Sequence, residues 1–167
     1  MERLKGANKN DMTVKYIIGH WTAGNYTPCA QDLGSYQLLI NGEGEIHGGK
    51  PVGQTASTGG MNSITYNISC CGGLSRTPIT KVQAEAFYKA CAQKLIEFNL
   101  SVSDFYTHAE IGELCRSGKI VKLLPKNKWL NQNIGKVDLT VLPDIKGSPK
   151  QTGDFIRNKI KWYLQRL

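Results

Sequence analysis

Long apolar runs are missing from this chain. No stretch of its 167 residues approaches the ~20 needed to cross a bilayer as a helix, so no membrane-spanning helix is expected. The segment from Met1 to Met12 is polar and lacks an apolar centre. No signal peptide is therefore expected, and residues 1–11 read as an N-terminal extension. Internal repeats and low-complexity tracts are absent. The cysteines (Cys29, Cys70, Cys71, Cys91 and Cys115) are odd in number and form no CxxC pair. Without an export signal they read mostly as free thiols, with Cys91 and one of the Cys70–Cys71 pair buried. No paired-carboxylate signature points to sugar-linkage hydrolysis. No recognised nucleic-acid motif is present either, so a nucleic-acid partner is not expected.

What is there is ordinary for one globular domain: 40% hydrophobic and 20% charged residues. A chain of this size buries about two-thirds of its unfolded surface. The net charge of +8 is unevenly placed. Residues 1–112 hold nine Lys/Arg and nine Asp/Glu, whereas residues 113–167 hold twelve against four. The whole excess sits in the last third and favours a polyanionic partner: by charge alone nucleic acid, an anionic lipid surface or a bacterial envelope.

Strands are expected at about 13–19, 35–40, 45–47, 63–71 and 104–107 from short apolar or alternating runs. Asn41-Gly42-Glu43-Gly44 reads as the hairpin turn between the second and third. Residues 48–60 are a Gly/Ser/Thr-rich loop whose small residues let backbone approach a ligand. Ile64, Tyr66, Ile68 and Cys70 alternate onto one strand face. Thr80 caps a helix over 81–98, with Val82, Phe87, Ala90, Cys91, Leu95 and Phe98 as its apolar stripe. A last helix spans about 151–166, with Phe155, Ile156, Ile160, Tyr163 and Leu167 on one face. Residues 111–135 read as an irregular basic segment. The fold class is α/β: a single domain with a central mixed β-sheet flanked by helices.

Only three histidines occur. His20 ends the run Val14-Lys15-Tyr16-Ile17-Ile18 and is followed by small, flexible residues. His108 ends Asp104-Phe105-Tyr106-Thr107 in the same way. Two strand-end imidazoles distant in sequence can converge on one metal; the alternative is that each is a hydrogen-bonded structural histidine. His47 reads as a surface residue.

Five segments, in order, resemble the zinc-dependent N-acetylmuramoyl-L-alanine amidases, the family of phage endolysins and peptidoglycan recognition proteins. His20-Trp21-Thr22-Ala23 is similar to the first ligand motif, and Tyr36 to Ile40 with Gly44 to the following strand and hairpin. Asn62-Ser63-Ile64 resembles the opening of the central strand. Thr107-His108-Ala109-Glu110 resembles the second ligand motif. Gly135-Lys136-Val137-Asp138 resembles the closing motif.

The resemblance implies a catalytic domain over 12–167, with 111–135 an insertion. It implies one Zn2+ held by His20, His108 and Asp138, and catalytic roles for Tyr36 and Lys136. A zinc with three protein ligands keeps a fourth position for water and brings that water's pKa towards neutrality. The bond cleaved would be the amide between N-acetylmuramic acid and L-alanine of peptidoglycan. Lys136 would stabilise the developing oxyanion, and Tyr36 would donate to it or to the water. Cys115 and Asp144 are the alternatives for the third ligand. Cys115 lies at the interval of cysteine-ligated relatives, but Glu113 stands where a lysine is expected. Asn67 occupies the place of the glutamate base of some members and cannot accept a proton. The implied protein is a monomeric phage or prophage endolysin, made in the host cytoplasm and acting on the wall after release. A non-catalytic peptidoglycan-binding module is the alternative.

Overall fold

The computed structural model describes residues 14–123 and 127–167. The N-terminal extension expected over 1–11 lies outside the described residues. β-Branched and aromatic runs form the sheet, as their preference for a pleated, half-buried surface requires. The strands are β1 (Tyr16–Trp21), β2 (Leu38–Ile40), β3 (Ile46–Gly48), β4 (Thr65–Cys70) and β5 (Phe105–Thr107), in the spatial order β3-β2-β4-β1-β5. Strand β1 runs parallel to both β4 and β5, and β2 runs parallel to β4; only the edge strand β3 is antiparallel, paired to β2. The sheet is mixed, as expected.

Period-two alternation sends the side chains of the central strands to two different cores. From β1 and β4, Ile17, Trp21, Tyr66, Ile68 and Cys70 enter the main core. There they meet Phe87, Tyr88, Cys91 and Leu95 of α2 (Lys81–Glu97), and Ile156 and Ile160 of α4 (Pro149–Leu164). On the other face Ile18 packs with Met61, Ile111, Cys115, Ile120 and Leu130 in a smaller cluster. Ile64 joins that second cluster, so it does not share the face of Tyr66 as the alternation had suggested.

The α2 stripe needs one correction. Val82 is 56% exposed, and Gln83 is buried in its stead. Its amide nitrogen donates to the carbonyls of Ile40 (3.0 Å) and Cys71 (2.7 Å), while its oxygen accepts from the amide of Thr80. A polar residue is stable inside when every one of its groups has a partner. Strand β2 starts at Leu38, not 35, because α1 (Ala30–Ser35) occupies the preceding residues.

The segment expected to be irregular from 111 opens inside a helix, α3 (His108–Ser117). Thr107 and Glu110 form a capping box: Thr107 Oγ1 accepts from the amide of Glu110, and the Glu110 carboxylate accepts from the amide of Thr107, both at 3.1 Å. Short 3-10 helices follow at Lys119–Lys122 and Lys128–Asn133. A two-stranded ribbon, β6 (Val141–Leu142) and β7 (Ile145–Lys146), precedes α4. Helix α4 begins at Pro149 with Ser148 as its cap, and Leu167, beyond its end, is exposed.

Candidate metal centre

His20 sits at the next-to-last position of β1, its ring on the face of Ile18. Before it, Gly19 lies against two aromatic rings: a Cβ there would stand 2.8 Å from Phe87 and 2.9 Å from Phe105. That close packing holds the strand end rigid. His108 is the first residue of α3, placed by the end of β5 and the Thr107–Glu110 box. Asp138 precedes Leu139, which is fully buried in the main core and has a positive φ of 63°. Such a backbone is uncommon for a residue other than glycine. It lets Leu139 anchor the segment while Asp138 turns to the histidines. The amide of Trp21 donates to Asp138 Oδ2 at 3.2 Å.

The three side chains converge. Asp138 Oδ2 lies 3.7 Å from His20 Nδ1, and Asp138 Oδ1 lies 3.8 Å from His108 Nδ1. The imidazole centroids are 4.7 Å apart. Among the described residues, His20, His108 and Asp138 are the group that can hold a metal, with one donor atom from each within 4.8 Å of the others.

The far nitrogen of each ring is engaged elsewhere. His20 Nε2 meets Asn67 Oδ1 at 2.8 Å, and His108 Nε2 meets Asn133 Oδ1 at 2.8 Å. His20 Nδ1 is buried and has no hydrogen-bond partner among the described residues. Burial, reinforced by the facing His108 and by Lys136, pushes the His20 pKa well below its ordinary value. Burial likewise lowers His108, with Asp138 and Asn133 opposing. Burial raises Asp138, opposed by His108, the Trp21 amide and Lys136. Burial thus favours the neutral form of both imidazoles. Separations near 3.7 Å are too long for hydrogen bonds. They suit donors that share one cation at about 2 Å each. Two imidazoles, one of them with its buried Nδ1 orphaned, and one carboxylate fit a zinc-type donor set.

Tyr36 packs its ring 5.1 Å from that of His20. Burial, with the charge of Asp138, pushes its hydroxyl up to about 12, against a hydrogen bond with Ser69. Lys136 is exposed, and its charge acts on all three of the converging residues. Cys115 is buried in the second cluster beside Asn133 and is outside the converging group. Asp144 is exposed in the β6–β7 turn and acts electrostatically on Tyr88 of α2. His47 is half-buried and bonded to Asn41 at 3.1 Å.

Sequence reasoning missed Asn133, and it treated Asn67 only as a missing base. Asn133 carried no local signal. The start of α3 did carry one, the Thr-x-x-Glu pattern of Thr107 and Glu110.

A family model described as N-acetylmuramoyl-L-alanine amidase matches residues 10–122. Asp138 and Lys136 lie beyond the matched stretch. The Staphylococcus aureus hydrolase AmiA, solved in complex with its ligand, superposes with a TM-score of 0.62 at 12% identity, over 93% of this chain and 77% of that one. The amidase LysC from Clostridium intestinale URNW superposes with a TM-score of 0.51 at 17% identity, over 61% and 74%. The endolysine amidase LysCS from the same organism gives 0.50 at 18% identity, over 60% and 72%. At these identities the likeness is one of fold. No curated protein is similar enough to count as a match.

Proposed function

Because the chain belongs to the N-acetylmuramoyl-L-alanine amidase family, we propose that it is a zinc-dependent peptidoglycan hydrolase cleaving the amide between N-acetylmuramic acid and L-alanine. The observation that carries this reading is the convergence of two neutral imidazoles on one buried carboxylate, with the Nδ1 of His20 left without a partner. His20, His108 and Asp138 would hold the ion. A zinc in this position supplies a Lewis acid for the amide carbonyl and an acidified water. Tyr36 stays protonated throughout the neutral range and donates its hydroxyl hydrogen towards the reacting oxygen. Lys136, exposed and acting by its charge on all three residues, would offset the negative charge that develops there. Asn67 takes no proton; its oxygen is committed to His20.

A module that binds peptidoglycan without cutting it would be favoured by a broken donor set, and here all three members stand together. The endolysin role, with synthesis in a host cytoplasm and action on the wall after release, rests on the resemblance to the phage branch. The basic C-terminal third would add affinity for an anionic envelope.

The test is a digest of purified peptidoglycan by the zinc-loaded protein, beside metal analysis. We expect about one zinc per chain and release of L-alanine amino termini. New reducing ends without new amino termini would point to a glycosidase and overturn the reading.

A further inference from the structure

The outer partners of both histidines are bonded to two adjacent residues far from the ligands in sequence. Asn67 Oδ1 accepts from Thr58 Oγ1 at 2.8 Å as well as from His20 Nε2. Asn133 Oδ1 accepts from the amide of Gly59 at 3.1 Å as well as from His108 Nε2. Thr58 and Gly59 are adjacent residues of the loop over 48–60.

Hydrogen-bond arithmetic fixes the direction of each of these bonds. The Asn133 amide nitrogen lies 2.9 Å from the carbonyls of both Gly59 and Leu130, which only accept. Its oxygen therefore faces His108. For Asn67 the chain of inference is longer. Gln37 Nε2 lies 3.2 Å from the carbonyl of Pro51, so Gln37 Oε1 must face Asn67. That oxygen accepts from the Asn67 backbone amide at 2.8 Å and from Asn67 Nδ2 at 3.0 Å. Asn67 Oδ1 is left to His20. In both cases the ring nitrogen facing an amide oxygen must carry the hydrogen, and in the neutral ring Nδ1 is then bare.

We propose that Thr58 and Gly59 act as a common strut, positioning residues that set the tautomer and direction of His20 through Asn67 and of His108 through Asn133. The ion then meets two lone pairs already aimed at it and pays no reorganisation of either ring. The strut has little slack. A Cβ on Gly59 would stand 2.6 Å from the carbonyl of Trp129 and 2.8 Å from Gln132, in the 3-10 helix that ends at Asn133. The proposal rests on the reading above only for the identity of the cation.

The experiment uses metal-free protein with 15N-labelled histidine, followed by zinc titration against a chelator of known affinity. Wild type should show both rings as the Nε2–H tautomer. Asn67→Ala should mix the tautomers of His20 and spare His108; Asn133→Ala should do the reverse. Each should weaken zinc binding by about 10–100-fold, the usual cost of losing an outer-shell partner. Thr58→Val keeps the shape and removes the hydroxyl, and should disturb His20 alone. Thr58→Ser should restore it. Gly59→Ala should disturb His108. Should the asparagine variants fail to fold, the Thr58 pair decides. Bare Nε2 atoms in wild type would overturn the proposal. So would tautomers and affinity unmoved by Thr58→Val and Gly59→Ala. Locked tautomers without zinc binding would support the strut and sink the zinc reading instead.

Discussion

Arg157 of α4 grips Glu110 of α3 with two hydrogen bonds, at 2.8 and 2.6 Å, and both side chains are largely withdrawn from solvent. The same guanidinium donates to the carbonyl of Phe105 at 3.0 Å, and Asp154 adds a second acid at 2.9 Å. Glu110 in turn caps the helix that begins with His108. One arginine thus ties the last helix to the strand and helix that carry a candidate ligand. Arg157→Met should destabilise the protein by about 3 kcal/mol, since it strands a buried carboxylate. Denaturant unfolding of the metal-free protein measures this; a change within experimental error would show that the pair is dispensable.

The third donor is tested by contrast. Asp138→Ala should abolish stoichiometric zinc and hydrolysis, while Cys115→Ser should leave both close to wild type, because Cys115 packs in the second cluster. The opposite pattern would transfer the role to Cys115 and leave Lys136 without a catalytic rationale.

Gly19→Ala forces a methyl between Phe87 and Phe105, whose rings already stand closer than a Cβ tolerates. Overpacking of this kind costs about 1–3 kcal/mol. It should also move the end of β1, so zinc affinity should fall along with the melting temperature. Lost stability with unchanged affinity would show that the strand end is held by other contacts.

Acid should weaken the metal-free protein through its histidines. Burial lowers the pKa of both His20 and His108 from 6.5, so below that pH the unfolded chain binds protons that the fold refuses. Their contribution is complete above pH 6.5 and falls as the pH drops towards the lowered values. Asp138, raised from 3.8, acts in the opposite sense: its contribution is present below 3.8 and is lost as the pH rises through the raised value. Denaturant midpoints measured against pH with a chelator should therefore decline below 6.5. A flat profile there would mean that the imidazoles are not held neutral.

The basic surface is smaller than the composition suggests. Arg157 is committed to Glu110 and Asp154, and Lys150 pairs with Asp154. Lys161→Gln with Arg166→Gln, both exposed positions, should weaken binding to purified wall at low salt and matter little at high salt. Loss of hydrolysis of soluble fragments in the same variant would argue against a role confined to attraction.

The strands and the two long helices were legible because their signals are local: the apolar run of β1, alternation in β4, the cap at Thr80, the period of α2. The two histidines were legible because each closes such a run. Val82 was misplaced because hydrophobicity outranked Gln83, whose burial depends on carbonyls at residues 40 and 71. Asn133 was invisible for the same reason in stronger form. Nothing near it in sequence indicates that Gly59 and His108 will meet there. Asp138 was reached by resemblance, since a lone acid in a basic segment carries no spacing of its own.

The order of the three donors along the chain has a consequence for biogenesis. His20 emerges early, His108 much later and Asp138 later still, and their convergence requires β1 paired to β4 and β5 and Leu139 placed in the main core. No fragment ending before residue 138 can assemble the cluster. The cluster is thus a property of the finished domain, and on the reading proposed above zinc retention would report that a given molecule has assembled it.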